Sequence, residues 1–82
     1  MLKTEPAQFL VHTQRLRHVW LESISEKDTG IRVSVPSHHY IGYSDDISEQ
    51  MKEWEDGDVV KVVLESEEED SPKWRVSEIH DM

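Results

Sequence analysis

The clearest alternation of apolar and polar positions runs through residues 15–36, RLRHVWLESISEKDTGIRVSVP. Val19, Leu21, Ser23 and Ser25 fall on one face of an extended chain, and His18, Trp20, Glu22, Ile24 and Glu26 on the other. Further on, Ile31, Val33 and Val35 alternate with Arg32, Ser34 and Pro36. A period of two is the mark of half-buried strands. Between the two runs lies Lys27-Asp28-Thr29-Gly30. Asp28 and Thr29 suit a type I turn there, and Gly30 supplies the positive φ of a G1-bulge hairpin. With Lys27 opposite Ile31, this predicts a core face of Val19, Leu21, Ser23, Ser25, Ile31, Val33 and Val35. On the outer face, Glu26 then stands across from Arg32, Trp20 from His38 and His18 from Tyr40, provided the second strand continues past Pro36. Pro36 has no amide donor and belongs at an edge or a strand end.

The rest of the pattern is shorter. Residues 1–6 show no periodicity and read as a flexible tail. Residues 7–13, AQFLVHT, fit either a short edge strand or a helical turn, because Phe9, Leu10 and Val11 do not discriminate. Ser44-Asp45-Asp46 followed by Glu49 predicts a helix start, with Asp46 and Glu49 at capping-box spacing and acids near the positive end of the dipole. Ile47, Met51 and Trp54 recur at i, i+4 and i+7, an apolar stripe of two to three turns, and Glu55-Asp56-Gly57-Asp58 ends it. Residues 59–64, VVKVVL, form the strongest strand, with Val60, Val62 and Leu64 inward. An acidic loop, ESEEEDSP, leads to a last strand, KWRVSEIH, with Trp74 and Val76 inward and Ile79 returned to the core by a bulge. Residues 7–82 thus read as a single small β-rich domain with one short helix, in the order β-β-α-β-β with an optional strand before it.

A helix placed just before the last hairpin resembles the oligonucleotide/oligosaccharide-binding (OB) barrel, where it plugs one end between the third and fourth strands. The segment EDGDVVKVV is similar to entry strands of small five-stranded barrels, SH3-like ones included. The resemblance implies a small OB-like or SH3-like barrel. The alternative architecture is an open antiparallel sheet with one helix packed across it.

Length and charge constrain this picture. An 82-residue chain buries only roughly 60 to 65% of its unfolded surface, so the core is small. There is no Cys, which excludes disulfides and thiolate metal sites. Eighteen acids against nine Lys and Arg give a net charge of −9. The acids concentrate between residues 44 and 70, which hold twelve of them against two cations, whereas residues 1–43 hold four against five. The acidic load, the low Lys count and the absence of Cys resemble the composition of small acidic proteins of halophilic archaea. That resemblance implies a cytoplasm of molar salt, in which self-repulsion is screened; an acidic mesophilic protein is the alternative. No apolar run approaches the roughly 20 residues of a bilayer span, nor is there one of signal-peptide length, so a cytoplasmic protein without membrane contact is expected.

Candidate chemistry is sparse. His12, His18, His38, His39 and His80 lack ligand spacing; His38 and His39 are adjacent and point to opposite faces of a strand. There is no nucleophile elbow, no Gly-rich phosphate loop and no EF-hand spacing in the acidic run. No catalytic residue, metal or cofactor is expected, and the chain reads as a non-enzyme. What remains is a basic and aromatic face beside the first hairpin: Arg17, His18, Trp20, Arg32, His38, His39, Tyr40 and Tyr43. Rings beside cations suit single-stranded nucleic acid or another anionic partner. The alternative buries Trp20 and Ile24 in the core or in a homodimer or docking interface, making the chain a structural or interaction protein.

Overall fold

The sheet is built around a strand that the sequence pattern places at its margin. In the computed structural model, which describes residues 1–14, 17–24 and 30–80, six strands and one helix follow one another. They are β1 (Leu2–Lys3), β2 (Ala7–Gln14), β3 (His18–Ser23), β4 (Arg32–Pro36), α1 (Asp45–Lys52), β5 (Val59–Ser66) and β6 (Arg75–His80). All pairings are antiparallel. β2 lies between β3 and β5, so residues 7–14 form neither an edge strand nor a helical turn. Phe9 and Val11 are buried, and a strand with neighbours on both sides satisfies all its backbone groups.

Residues 1–6, read from the sequence as a tail, contain β1. Lys61 and Glu65 each have β6 on one flank, so β1 and β2 lie end to end along the other flank of β5. Thr4 continues the ladder between them: its N–H donates to the Leu64 carbonyl at 2.8 Å, and its hydroxyl accepts the Leu64 N–H at 2.9 Å.

Val19, Leu21 and Val35 face the core as the alternation predicts, and Val33 packs against it half-buried. The hairpin register differs from the expected one. Trp20 stands opposite Ser34 rather than His38, His18 opposite Pro36 rather than Tyr40, and Glu22 rather than Glu26 opposite Arg32. Ser23 donates to the Ile31 carbonyl at 2.7 Å, and Ile31 is 54% exposed instead of core. Gly30 has the expected positive φ, +92°. Arg15 and Ser25, Glu26, Lys27, Asp28 and Thr29 of the expected hairpin lie outside the described residues.

α1 is capped by Ser44, whose hydroxyl accepts the Ile47 N–H at 3.3 Å. Asp46, expected in the cap, instead accepts a side-chain hydrogen bond from Gln50 at 3.2 Å. Met51 is buried and Ile47 packs beside it, but the helix stops at Lys52, short of the expected end, so Trp54 is buried from beyond the C-cap Glu53 rather than from a third position of the helical stripe. In the turn that follows, Gly57 (φ +92°) and Asp58 exchange backbone hydrogen bonds with Val11, fastening the entry of β5 to β2. Val60, Val62, Leu64 and Val76 complete the core, while Trp74 is only half-buried. The ladder between β5 and β6 shifts register between Val63 and Leu64, so Val76 and Ile79 both turn inward, the bulge the sequence called for.

The result is an open antiparallel sheet in the order β6-β5-β2-β3-β4, curved so that β4 and β6 come side by side. Among the described residues no ladder joins them. Tyr43, expected on the surface, is buried between these edges and belongs to the core. No helix of the described residues is long and apolar enough to cross a membrane.

Candidate functional site

The free edge of β4 is defined by its hydrogen bonds to β3. Ser23 donates to Ile31 and Ser37 donates to Arg17 across the hairpin, so the odd-numbered backbone groups of β4 are spent on β3. Those of Arg32, Ser34 and Pro36 therefore point the other way, toward β6. Pro36 brings no donor to this edge, and its carbonyl is taken by the Tyr43 hydroxyl at 2.7 Å.

A groove of about 700 Å³ runs along this seam. His18 and Trp20 of β3, Arg32, Ser34 and Pro36 of β4, and Tyr40 line one side. Glu67, Glu68, Pro72, Lys73, Trp74 and Arg75, from the connection between β5 and β6, line the other. Trp20 is 42% exposed, and the residue opposite it, Ser34, is too small to cover the ring. Trp74 is half-buried, and Tyr40 is exposed with its ring edge-to-face on Tyr43 at 5.0 Å. Three aromatic side chains thus reach one groove.

The acidic connection is held in place from below. Ser66 is fully buried; its hydroxyl accepts the N–H groups of Lys73 at 2.9 Å and Glu68 at 3.2 Å and donates to the Glu68 carbonyl at 3.1 Å. One side chain therefore closes the loop and sets the position of Lys73 and Trp74 in the groove. Arg75 spans Glu65 (3.2 Å) and Glu67 (3.4 Å), which neutralises part of the acidic run where it borders the groove.

Arg32 is partly engaged as well. Its Nε donates to Glu22 Oε1 at 3.1 Å, and the same oxygen lies 2.9 Å from His12 Nε2, so three neighbouring strands meet at one carboxylate. The hydrogen bond from His12, and then that from Arg32, hold the Glu22 carboxyl below the usual carboxylate range. Lys73 has no ion-pair partner among the described residues and is the least committed cation of the groove.

Of the eight sequence candidates, His18, Trp20, Arg32 and Tyr40 share this groove. Arg17 and His39 line a smaller hollow of about 220 Å³ that also touches Tyr40 and Pro36. His38 and His39 lie in a turn rather than on opposite faces of a strand; His38 is half-buried, and the two rings meet tilted by 39° with centroids 4.0 Å apart. Burial, and then the nearby His39 and Lys52, push the His38 pKa down, with Glu49 opposing. It thus faces the helix side rather than the groove. Tyr43 does not belong to the surface, as described above; burial pushes its phenol well above the ordinary tyrosine range.

Sequence reasoning missed Lys73, Trp74 and Arg75 as site residues. The signal was present, since a Trp flanked by two cations is the same pairing that singled out the first hairpin. Among the described residues, no three His, Asp or Glu side chains converge in a way that could hold a metal ion. No family model, no curated protein and no solved structure matches this chain.

Proposed function

We propose that this protein is a small non-enzymatic binding module for single-stranded nucleic acid, built as a partly open barrel of the OB type and suited to high salt. The observation that carries the reading is the convergence of Trp20, Tyr40 and Trp74 with Arg32 and Lys73 in one open groove. Exposed bases stack on such rings, and cations follow the phosphates. The order of elements supports the barrel. The strand equivalent to an OB first strand lies between its second and fourth, the helix falls between the third and fourth, and the last strand lies beside the third. In OB folds the face of the second and third strands and the loop between the last two make the ligand site. Here those elements, β3, β4 and the β5–β6 connection, line the groove.

The net charge of −9 is compatible with this only if phosphate attraction is not the main source of affinity. At molar salt the Debye length is about 3 Å and phosphate contacts are heavily weakened, so stacking carries the binding. Titration with single-stranded oligothymidylate, followed by Trp emission in low and in molar KCl, tests the reading. Quenching that persists at high salt and is lost in Trp20→Ala, at about 1–3 kcal/mol per stacked base, is the expected result. Emission that does not change in either salt would refute it.

A second reading rests on Ile41, which is 98% exposed next to Tyr40, and on exposed Ile31. Under it the chain is an interaction protein that forms a homodimer or docks on a larger assembly. Sedimentation in high salt separates the two: a dimer dissociated by Ile41→Ser favours the second, and a monomer that binds oligonucleotide favours the first.

A further inference from the structure

We infer that the bound strand does not end at the main groove but continues past Tyr40 into the smaller hollow, where Arg17 and His39 receive a phosphate of the next nucleotide. This rests on the nucleic-acid reading above and extends it by a second subsite. Three observations carry it. The two hollows share Tyr40 and Pro36, so a chain leaving the groove enters the second hollow without crossing another element. Among the described residues, the second hollow is lined by Arg17 and His39 and by no carboxylate, in a chain with twice as many acids as Lys and Arg, whereas the far end of the main groove carries Glu67 and Glu68. Arg32 is drawn to Glu22 and Arg75 to Glu65 and Glu67, but Arg17 has no ion-pair partner among the described residues and is exposed.

Tyr40 is the fixed post between the two lobes. Its ring lies so close over Gly42 that a Cβ there would come within 2.5 to 2.7 Å of two ring carbons and the phenol oxygen. With Tyr43 set edge-on against it, the ring is held from two sides. Gly42 is thus a positioning residue: an added methyl group displaces the ring, since no side chain tolerates an approach that close. A base stacked on a ring held in this way sends its phosphate to one side or the other, and the cationic side is that of Arg17.

The experiment measures affinity against length for single-stranded oligothymidylates of increasing length, read by Trp emission, for the wild type, Arg17→Ala, Arg17→Lys and Gly42→Ala. In the wild type, affinity is expected to rise again once the oligonucleotide is long enough to pass Tyr40. Arg17→Ala should remove that last rise and leave short oligonucleotides unaffected, and its salt slope for long ones should fall by about 0.7, the contribution of one phosphate on a single strand. Arg17→Lys should keep the slope, and Gly42→Ala should weaken both lobes. A length dependence and slope unchanged in Arg17→Ala would overturn the second subsite while leaving the groove reading intact. No binding by the wild type at any length would overturn both.

Discussion

The phenol oxygen of Tyr43 accepts the backbone N–H of Val76 at 3.3 Å while donating its own proton to the Pro36 carbonyl at 2.7 Å. One side chain therefore links the two strands whose edges no ladder joins. Tyr43→Phe keeps the ring and its packing but strands a buried donor and an acceptor. A loss of about 1–3 kcal/mol in urea unfolding is expected, together with faster amide exchange at Val76. The phenol, raised by burial, ionises less readily folded than unfolded. Its contribution is thus complete below the ordinary tyrosine pKa of about 10 and lost as pH rises above it. Tyr43→Phe should lack this alkaline loss.

Ser66 performs a comparable task for the acidic loop. Ser66→Ala removes the acceptor for the Lys73 and Glu68 N–H groups. A loss of about 1–2 kcal/mol is expected if water reaches one of them. Amide exchange at Lys73 should accelerate, and oligonucleotide binding should weaken because Lys73 and Trp74 are no longer held in the groove. Unchanged exchange at Lys73 would show that the loop is held elsewhere.

Glu22 competes with any anion for Arg32. Glu22→Gln removes that competition and one negative charge near the groove, so oligonucleotide binding at low salt should tighten. Because His12 and Arg32 depress the Glu22 pKa, its contribution to stability is present above about pH 4.5 and fades as pH falls through the depressed value. Acid unfolding of Glu22→Gln should lack this portion of the pH dependence.

His38 makes the fold sensitive to acid in another way. Burial first, and then His39 and Lys52, keep its pKa below 6.5 in the folded chain. The unfolded chain therefore takes up a proton at higher pH, and stability falls on acidification from about pH 6.5 down to the depressed folded value. His38→Asn should flatten this part of the stability profile measured by urea unfolding. A profile as steep as that of the wild type would place the acid sensitivity at another group.

The sequence showed faces better than partners. Alternation has a period of two, so it sorted Val19, Leu21, Val33 and Val35 onto the core side even though the pairing was displaced by four residues, an even shift that preserves every face. Which residue stands opposite Trp20 depends on loop length, and nothing in a local pattern sets that length. The central place of β2 was invisible for a related reason: β3 is its neighbour in sequence, but its other partner, β5, comes from far along the chain through contacts that no local window contains. Tyr43 was misread because a buried tyrosine and an exposed one look alike until a partner for the hydroxyl is known. Half of the groove escaped notice because Lys73 and Trp74 join Trp20 only through the curvature of the sheet, which brings β4 and β6 side by side.

The place of β2 also shapes how the chain comes together. The meander of β2, β3 and β4 and the hairpin of β5 and β6 are each made of contacts between neighbours in sequence. They are joined by the short ladder from Ala7 opposite Val62 to Leu10 opposite Val59, with β1 extending it. The entropic cost of drawing the two ends of the molecule together thus falls mainly on this ladder, with the Tyr43 bridge from Pro36 to Val76 as a second link between the halves. The groove, shared between the meander and the hairpin, exists only after that step.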